Sequence, residues 1–153
     1  MESQTNDIEF MEAAIDEAKL AKTNGDLPFG AVVVQNDKIV GRGHAENNTV
    51  GDVTDHAELL AVRMACKTLG ANDLKDCVIY CTNEPCFMCA AGIFQANIPK
   101  VIIGVSRADL PELLRPRKFG IDHLAEDSSY SIEIVRGILK DKVLALFADV
   151  KKK

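Results

Sequence analysis

Residues 78–105, VIYCTNEPCFMCAAGIFQANIPKVIIGV, are the stretch that decides the fold. Two short apolar runs, at residues 78–81 and 101–105, flank a segment at residues 86–96 that has the length of a short helix. A strand, a helix and a second strand in this order predict two parallel strands joined by a helical crossover. The stretch therefore predicts a fold of the α/β class.

A β-hairpin and a helix are predicted before this unit. Residues 31–34 and 38–41 are apolar runs on either side of Asn36-Asp37, a typical hairpin turn. Residues 7–24 have helical spacing and end at Gly25, where a C-terminal glycine is expected. A hairpin next to a parallel unit predicts a central mixed sheet covered by helices on both faces, a three-layer α/β/α sandwich.

The rest of the chain is patterned less evenly. Residues 56–69, followed by Gly70, and residues 139–150 are predicted helices, and residues 132–135 are a predicted strand. Residues 106–130 contain Pro111, Pro116 and several charges, and their apolar residues follow neither the helical nor the strand period. We expect the whole chain, residues 1–153, to form a single domain.

Composition and charge limit the classes of partner. With 47% hydrophobic and 27% charged residues, the chain resembles ordinary soluble globular proteins. It has no apolar stretch near the ~20 residues that span a bilayer, and its start lacks the features of a signal peptide, so no membrane partner is expected. The net charge of −5 argues against nucleic acid, whose binding surfaces are basic. Five cysteines, an odd number, fit a reducing cytoplasm, which is the expected location.

Three potential metal ligands lie on two short segments, His56-Ala57-Glu58 and Pro85-Cys86-Phe87-Met88-Cys89. An imidazole and two thiolates hold Zn²⁺ at three corners of a tetrahedron and leave the fourth open for water, as in catalytic zinc sites. Cys86 and Cys89 are one helical turn apart, so both sulfurs can face one ion. The sequence therefore predicts a Zn²⁺ site with His56, Cys86 and Cys89 as ligands.

Glu58 is the predicted catalytic residue. It lies two positions after His56, so on a helix its side chain cannot point in the direction of the ligand. Thr54 and Asp55 are expected to cap this helix. A structural zinc site or a redox dithiol are the alternatives for the cysteines, but a structural site has no use for a free carboxylate.

The chain resembles the cytidine-deaminase-like superfamily, and within it the small free-base deaminases, especially fungal-type cytosine deaminase. It is also similar to bacterial guanine deaminase and to tRNA adenosine deaminases. The matching stretches are PFGAVVV at residues 28–34, GRGH at 41–44, TDHAE at 54–58 and EPCFMCA at 84–90. The last two contain H-x-E and then P-C-x-x-C, the order found in zinc deaminases.

This resemblance implies a zinc-dependent hydrolytic deaminase, an aminohydrolase that cleaves C–N bonds of cyclic amidines and releases ammonia. Its expected substrate is a free nucleobase or similar amino-heterocycle, with cytosine or isocytosine first, in nucleobase metabolism such as pyrimidine salvage. A guanine or nucleoside deaminase, or a tRNA adenosine deaminase, is the alternative. The resemblance also implies a homodimer or a higher homo-oligomer.

Candidate substrate contacts come from matches to the family and departures from it. Residues 147–150 resemble the ending of cytosine deaminase, where the Asp binds the base, so Asp149 is a candidate. Relatives often carry a base-binding Asn where this chain has Ala45. Asn47 and Asn48 are close enough to replace it, or they serve only turn chemistry.

Further candidates complete the predicted site. The backbone N–H groups of Ala57 and Cys86 are expected near the reacting atoms. Phe29 and Asp109 occupy positions that border the pocket in relatives; the alternatives are core packing for Phe29 and a solvated loop carboxylate for Asp109. Asp55 is either a helix cap or a contact to a substrate amine. The basic run at residues 115–118 is a solvated loop, a contact to a substrate phosphate, or a contact to another subunit.

Overall fold

A central mixed sheet organises the fold in this computed structural model, which describes residues 2–150 and the side chains of residues 6–150. Within that range the sheet has the strand order β2-β1-β3-β4-β5. The strands are β1 (Gly30–Gln35), β2 (Lys38–His44), β3 (Cys77–Asn83), β4 (Lys100–Val105) and β5 (Glu133–Arg136). β1 is antiparallel to β2 and β3, whereas β3, β4 and β5 run parallel. The predicted mixed sheet is confirmed.

Helices cover both faces of this sheet, as the sequence predicts. They are α1 (Glu2–Thr23), α2 (Ala57–Leu69), α3 (Phe87–Gln95), α4 (Ile121–Asp127) and α5 (Lys140–Ala145), with a 3₁₀ turn at Arg107–Asp109. Alternate strand residues face opposite layers. Val33 and Ile79 are in one core with α2 and α3, while Val32 and Tyr80 are in the other with α1 and α5. The architecture is therefore a three-layer α/β/α sandwich.

Two glycines of β2 bring α2 very close to the sheet. A Cβ atom at Gly43 would lie 2.2 Å from the carbonyl oxygen of Ala57, and one at Gly41 would lie 2.2 Å from that of Ala61. These positions therefore require glycine. Because Ala57 is the first residue of α2, the contact at Gly43 fixes where that helix begins.

Several predicted boundaries differ from the structure. The helix α1 begins at Glu2 rather than residue 7, because a polar first turn extends a helix without adding to its apolar period. The helix α5 ends at Ala145 rather than residue 150. Beyond it the chain continues in turns, and the ring of Phe147 still packs inward, against Phe29 with centroids 5.5 Å apart. Within the described residues, no helix combines the length and hydropathy needed to cross a membrane.

Candidate active site

The three predicted metal ligands come together at the starts of α2 and α3. His56 is the N-cap residue of α2, and Cys86 is the N-cap residue of α3, with Cys89 one turn further on. Both N-cap residues have extended backbone, and neither side chain caps its own helix. The imidazole and the thiols are therefore available to a ligand rather than used to end a helix.

The prediction that Thr54 and Asp55 cap α2 is wrong. The hydroxyl of Thr54 donates to Oδ1 of Asp52 at 2.7 Å, and the side chain of Asp55 lies 3.7 Å from Nη1 of Arg63. His56 occupies the N-cap position itself. The two residues that the sequence assigns to the helix start thus have other partners, Asp52 for Thr54 and Arg63 for Asp55.

The spacing of the ligand atoms fits zinc. Nδ1 of His56 lies 3.6 Å from Sγ of Cys86 and 3.5 Å from Sγ of Cys89. Bond lengths of about 2.3 Å to sulfur and about 2.1 Å to nitrogen put the ligands of a tetrahedral zinc ion roughly 3.6 Å apart. The donor set and its spacing therefore match a three-ligand zinc site.

The protonation of the two cysteines also fits a cation. Hydrogen bonds from Cys89 and His56 lower the pKa of the Cys86 thiol to about 4. The pKa of Cys89 is raised, first by its hydrogen bond to Cys86 and then by burial. The pair thus readily loses one proton, and a metal ion held by both sulfurs would favour loss of the second.

Glu58 lies beside these ligands with an unused oxygen. Its side chain is buried, and Oε1 is the one buried side-chain oxygen or nitrogen of the described residues without a hydrogen-bond partner. Burial raises the pKa of this carboxyl group. An unpaired buried oxygen is costly, so it indicates a position where water or a substrate completes the hydrogen bonding.

A cavity of about 190 Å³ opens onto this group. Its polar and charged lining comes from five parts of the chain: the loop after β2, the start of α2, the end of β3, the start of α3 and the segment after β4. These lining residues are Asn47, His56, Glu58, Asn83, Glu84, Cys86, Arg107, Arg115 and Arg117. Leu27, Phe29, Leu113 and Leu114 supply apolar surface.

Four of the predicted substrate contacts line this cavity: Phe29, Asn47, Ala57 and Cys86. Asn47 projects from a loop that the buried carboxylate of Asp26 holds in place. Asp26 accepts hydrogen bonds from the backbone N–H groups of Asn48 and Thr49 at 3.0 and 3.1 Å. Turn chemistry therefore accounts for Asn48, whereas Asn47 lines the cavity.

The other predicted contacts lie outside the cavity lining and have structural partners. Asp109 accepts from the backbone N–H of Ser106 at 2.8 Å and pairs with Lys140 at 3.0 Å. Asp149 is exposed and pairs with Lys22 at 2.5 Å. Asp55 is buried, and its Oδ1 lies 3.7 Å from Nη1 of Arg63. Each of these carboxylates is used in holding loops or helix ends together.

Several lining residues were missed by the sequence prediction. Asn83 and Glu84 come at the carboxyl end of β3, and Arg107 follows the end of β4. Ligands of open α/β sheets bind beyond the carboxyl ends of parallel strands, and that rule would have identified these positions. No sequence pattern identifies Leu113 and Leu114 in the same way, because they lie in a segment that has neither helical nor strand periodicity.

Sequence comparison agrees with this geometry. The model of the family described as "Cytidine and deoxycytidylate deaminase zinc-binding region" matches residues 4–105. A tRNA-specific adenosine deaminase of Bacillus subtilis (strain 168) is 33% identical over an alignment of 159 residues, covering 97% of this chain and 93% of that protein. A probable cytosine deaminase of Schizosaccharomyces pombe is 32% identical over 152 residues, covering 94% of this chain and 91% of that protein.

Comparison of folds gives the same result. A solved structure from a study of A-to-I editing by tRNA:A34 deaminases superposes with a TM-score of 0.78 and 29% sequence identity. The match covers 90% of this chain and 98% of that one. Motif, geometry and similarity over most of the length agree, and the superfamily predicted from the sequence is confirmed. The chain belongs to the cytidine and deoxycytidylate deaminase family, and it is a hydrolase that cleaves C–N bonds by deamination.

Proposed function

We propose that this chain is a hydrolytic deaminase of a nucleobase that holds zinc through His56, Cys86 and Cys89 and moves protons with Glu58. The observation that carries the proposal is the unpaired Oε1 of Glu58, buried beside three ligand atoms spaced for zinc. A carboxylate that only stabilised the fold would have its hydrogen bonds satisfied.

The chain's own residues supply the steps around the metal. Zinc, when bound, lowers the pKa of a water molecule toward neutrality and so provides the nucleophile. Glu58 takes a proton from that water on its carboxylate and delivers it to the ring nitrogen. Glu58 then takes the second proton from the hydroxyl that has been added to the ring carbon and transfers it to the departing amine, so that ammonia leaves and a carbonyl remains. Ala57 and Cys86 line the cavity, and in this proposal their backbone N–H groups stabilise negative charge that develops there.

Adenosine within tRNA is the first candidate substrate. The tRNA-specific deaminase from Bacillus subtilis aligns with nearly the whole chain. The net charge of −5, which argues against nucleic acid, is an average over the molecule, and three arginines line the cavity itself. The local charge therefore permits a nucleic-acid substrate.

Free cytosine is the second candidate. The relative from Schizosaccharomyces pombe supports it, as does a cavity of only about 190 Å³, which suits one heterocycle. Against it, Asp149, the residue expected to bind cytosine, has its carboxylate on Lys22 at the surface. This difference lowers the rank of cytosine below that of adenosine.

A substrate panel tests the proposal. Zinc-loaded protein is incubated with tRNA, adenosine, cytosine, isocytosine and guanine, with ammonia release and base identity as readouts. Inosine in tRNA supports the first candidate, and uracil from cytosine supports the second. Absence of ammonia with every member of the panel would contradict a deaminase of these substrates.

A further inference from the structure

The segment at residues 107–118 places positive charge directly beside the reaction centre. Arg107, Arg115 and Arg117 line the same cavity as Glu58 and His56. Arg115 and Arg117 are exposed, and Arg107 is partly buried. Because the whole chain carries a net charge of −5, this concentration of cations is opposite in sign to the molecular average.

A larger groove continues from this arginine-lined wall. Its volume is about 600 Å³, and it shares Glu84, Arg107, Leu114 and Arg117 with the smaller cavity. Lys118 adds a further positive charge to its lining. A ligand that reaches from one space into the other must pass Arg107 and Arg117.

The carboxylates of the groove are engaged by a fourth cation, Arg136. Its Nη1 lies 2.7 Å from Oε1 of Glu84, and its Nη2 lies 2.7 Å from Oδ2 of Asp122. The backbone N–H of Arg107 also donates to Oε1 of Glu84 at 3.2 Å. Arg136 thus offsets acidic charge that would otherwise repel an anion, and the cations of the groove outnumber its carboxylates.

We propose that residues 107–118 form a phosphate subsite, so that the preferred substrate is a base on a phosphorylated sugar rather than a free base. A guanidinium presents a planar fork of N–H donors that matches two phosphate oxygens. The cavity of about 190 Å³ is smaller than the ~300–1,000 Å³ of typical ligand pockets, so it accepts only the heterocycle. The sugar and its phosphate then lie in the adjoining groove.

This inference rests on the proposed function, because it extends the same site. The phosphate can belong to a nucleoside 5′-monophosphate or to the backbone of RNA, and the chemistry of recognition is the same for both. Arg107 also stabilises the segment itself, since its Nη1 donates to the carbonyl oxygen of Arg115 at 3.0 Å. Arg117 is therefore the better position for a test.

The first experiment compares four forms of one base with zinc-loaded full-length protein. They are the free base, the nucleoside, its 5′-monophosphate and a short RNA hairpin that presents the base in its loop, in an adenine series and a cytosine series. We expect kcat/KM to be at least tenfold higher for a phosphorylated form than for the nucleoside. The better of the two phosphorylated forms identifies the source of the phosphate, and equal values for all four forms would overturn the subsite.

The second experiment replaces Arg117. Loss of a hydrogen bond to a charged group corresponds to roughly a tenfold to hundredfold change. In Arg117→Ala, the ratio of kcat/KM for the phosphorylated form to that for the nucleoside should fall by this factor. In Arg117→Lys the same ratio should fall less. Arg42→Ala is the matched control, since Arg42 is exposed on β2 and lines a different cavity with Glu17 and Met64. An unchanged ratio in Arg117→Ala would refute the proposal.

Binding measurements separate failure of the subsite from failure of the proposed function. Calorimetry of zinc-loaded protein with adenosine 5′-monophosphate and cytidine 5′-monophosphate, and with the two nucleosides, needs no turnover. Tighter binding of a monophosphate that Arg117→Ala removes supports the subsite even if no substrate is deaminated. Equal affinity for nucleoside and monophosphate, together with an RNA hairpin that binds wild type and Arg117→Ala alike, would reject it even if deamination is observed.

Discussion

The reaction centre and the rim of its cavity are built in different ways. The metal ligands and Glu58 project from the first turns of two helices that pack on the sheet, and Glu58 and Cys89 are buried. The rim consists of loops at residues 45–50 and 106–120, and Arg115 and Arg117 on it are exposed. Residues that must hold a fixed geometry are thus on rigid elements, and the residues that we propose select a substrate are on loops.

Removal of a metal ligand should give the largest effect. Cys89→Ala leaves two of three ligands, so we expect zinc to be lost and deamination to fall to background. Zinc per chain by elemental analysis and ammonia release measure the two effects. Cys66→Ala, at a half-buried free cysteine elsewhere on α2, is the control and should keep both. Full zinc and activity in Cys89→Ala would remove Cys89 from the centre.

Glu58→Gln should separate proton transfer from metal binding. General acid–base catalysis contributes roughly 10²- to 10⁴-fold, so kcat should fall by that factor while zinc content and melting temperature stay near those of the wild type. Glu133→Gln is the control, because Glu133 is an exposed carboxylate on β5, 3.8 Å from Lys100. Near-normal turnover in Glu58→Gln would show that another group carries the proton.

Asp26→Ala should affect the rim more than the centre. It removes the buried acceptor of the hydrogen bonds from Asn48 and Thr49 and so releases the loop that carries Asn47. We expect stability to fall by about 1–3 kcal/mol and KM to rise roughly tenfold, with a smaller change in kcat. Urea unfolding and steady-state kinetics measure these effects.

Asp52→Ala provides the comparison for Asp26→Ala. Asp52 also holds a loop, through Thr54, but it is exposed and lies outside the cavity lining. The substitution Asp52→Ala should therefore leave KM unchanged. A KM as low in Asp26→Ala as in the wild type would mean that Asn47 does not contact the substrate.

The centre could be predicted from the sequence because local spacing determines it. His56, Cys86 and Cys89 lie at helix starts that Pro85 and the apolar runs indicate, and the hairpin turn is marked by Asn36-Asp37. Both turn residues have positive φ, 50° and 59°, as a two-residue hairpin turn requires. These features depend on a few neighbouring residues, so a single sequence contains them.

The rim could not be predicted in the same way, because distant contacts form it. Asp26 accepts hydrogen bonds from Asn48 and Thr49, which are more than 20 positions later in the sequence. Arg136 is paired with Glu84, which is 52 positions earlier. Residues 106–120 have no helical or strand period, so their place beside the cavity depends on tertiary packing. Whole-chain net charge was equally uninformative, since it averages the basic rim with acidic helices.

Asp149→Asn should have the smallest effect and bears on the boundary between centre and rim. The carboxylate pairs with Lys22 at the surface, and Lys22 also donates to the carbonyl oxygen of Leu146 at 2.8 Å, so the segment just after α5 keeps an anchor without Asp149. We expect kcat/KM within about twofold of the wild type, because exposed ion pairs contribute little. A large rise in KM for a free base alone would mean that the segment after α5 folds over the cavity when a base binds. Phe147 already packs on Phe29 in the cavity wall, so such a result would extend the substrate-selecting rim to the C-terminal segment and restore cytosine as the first candidate.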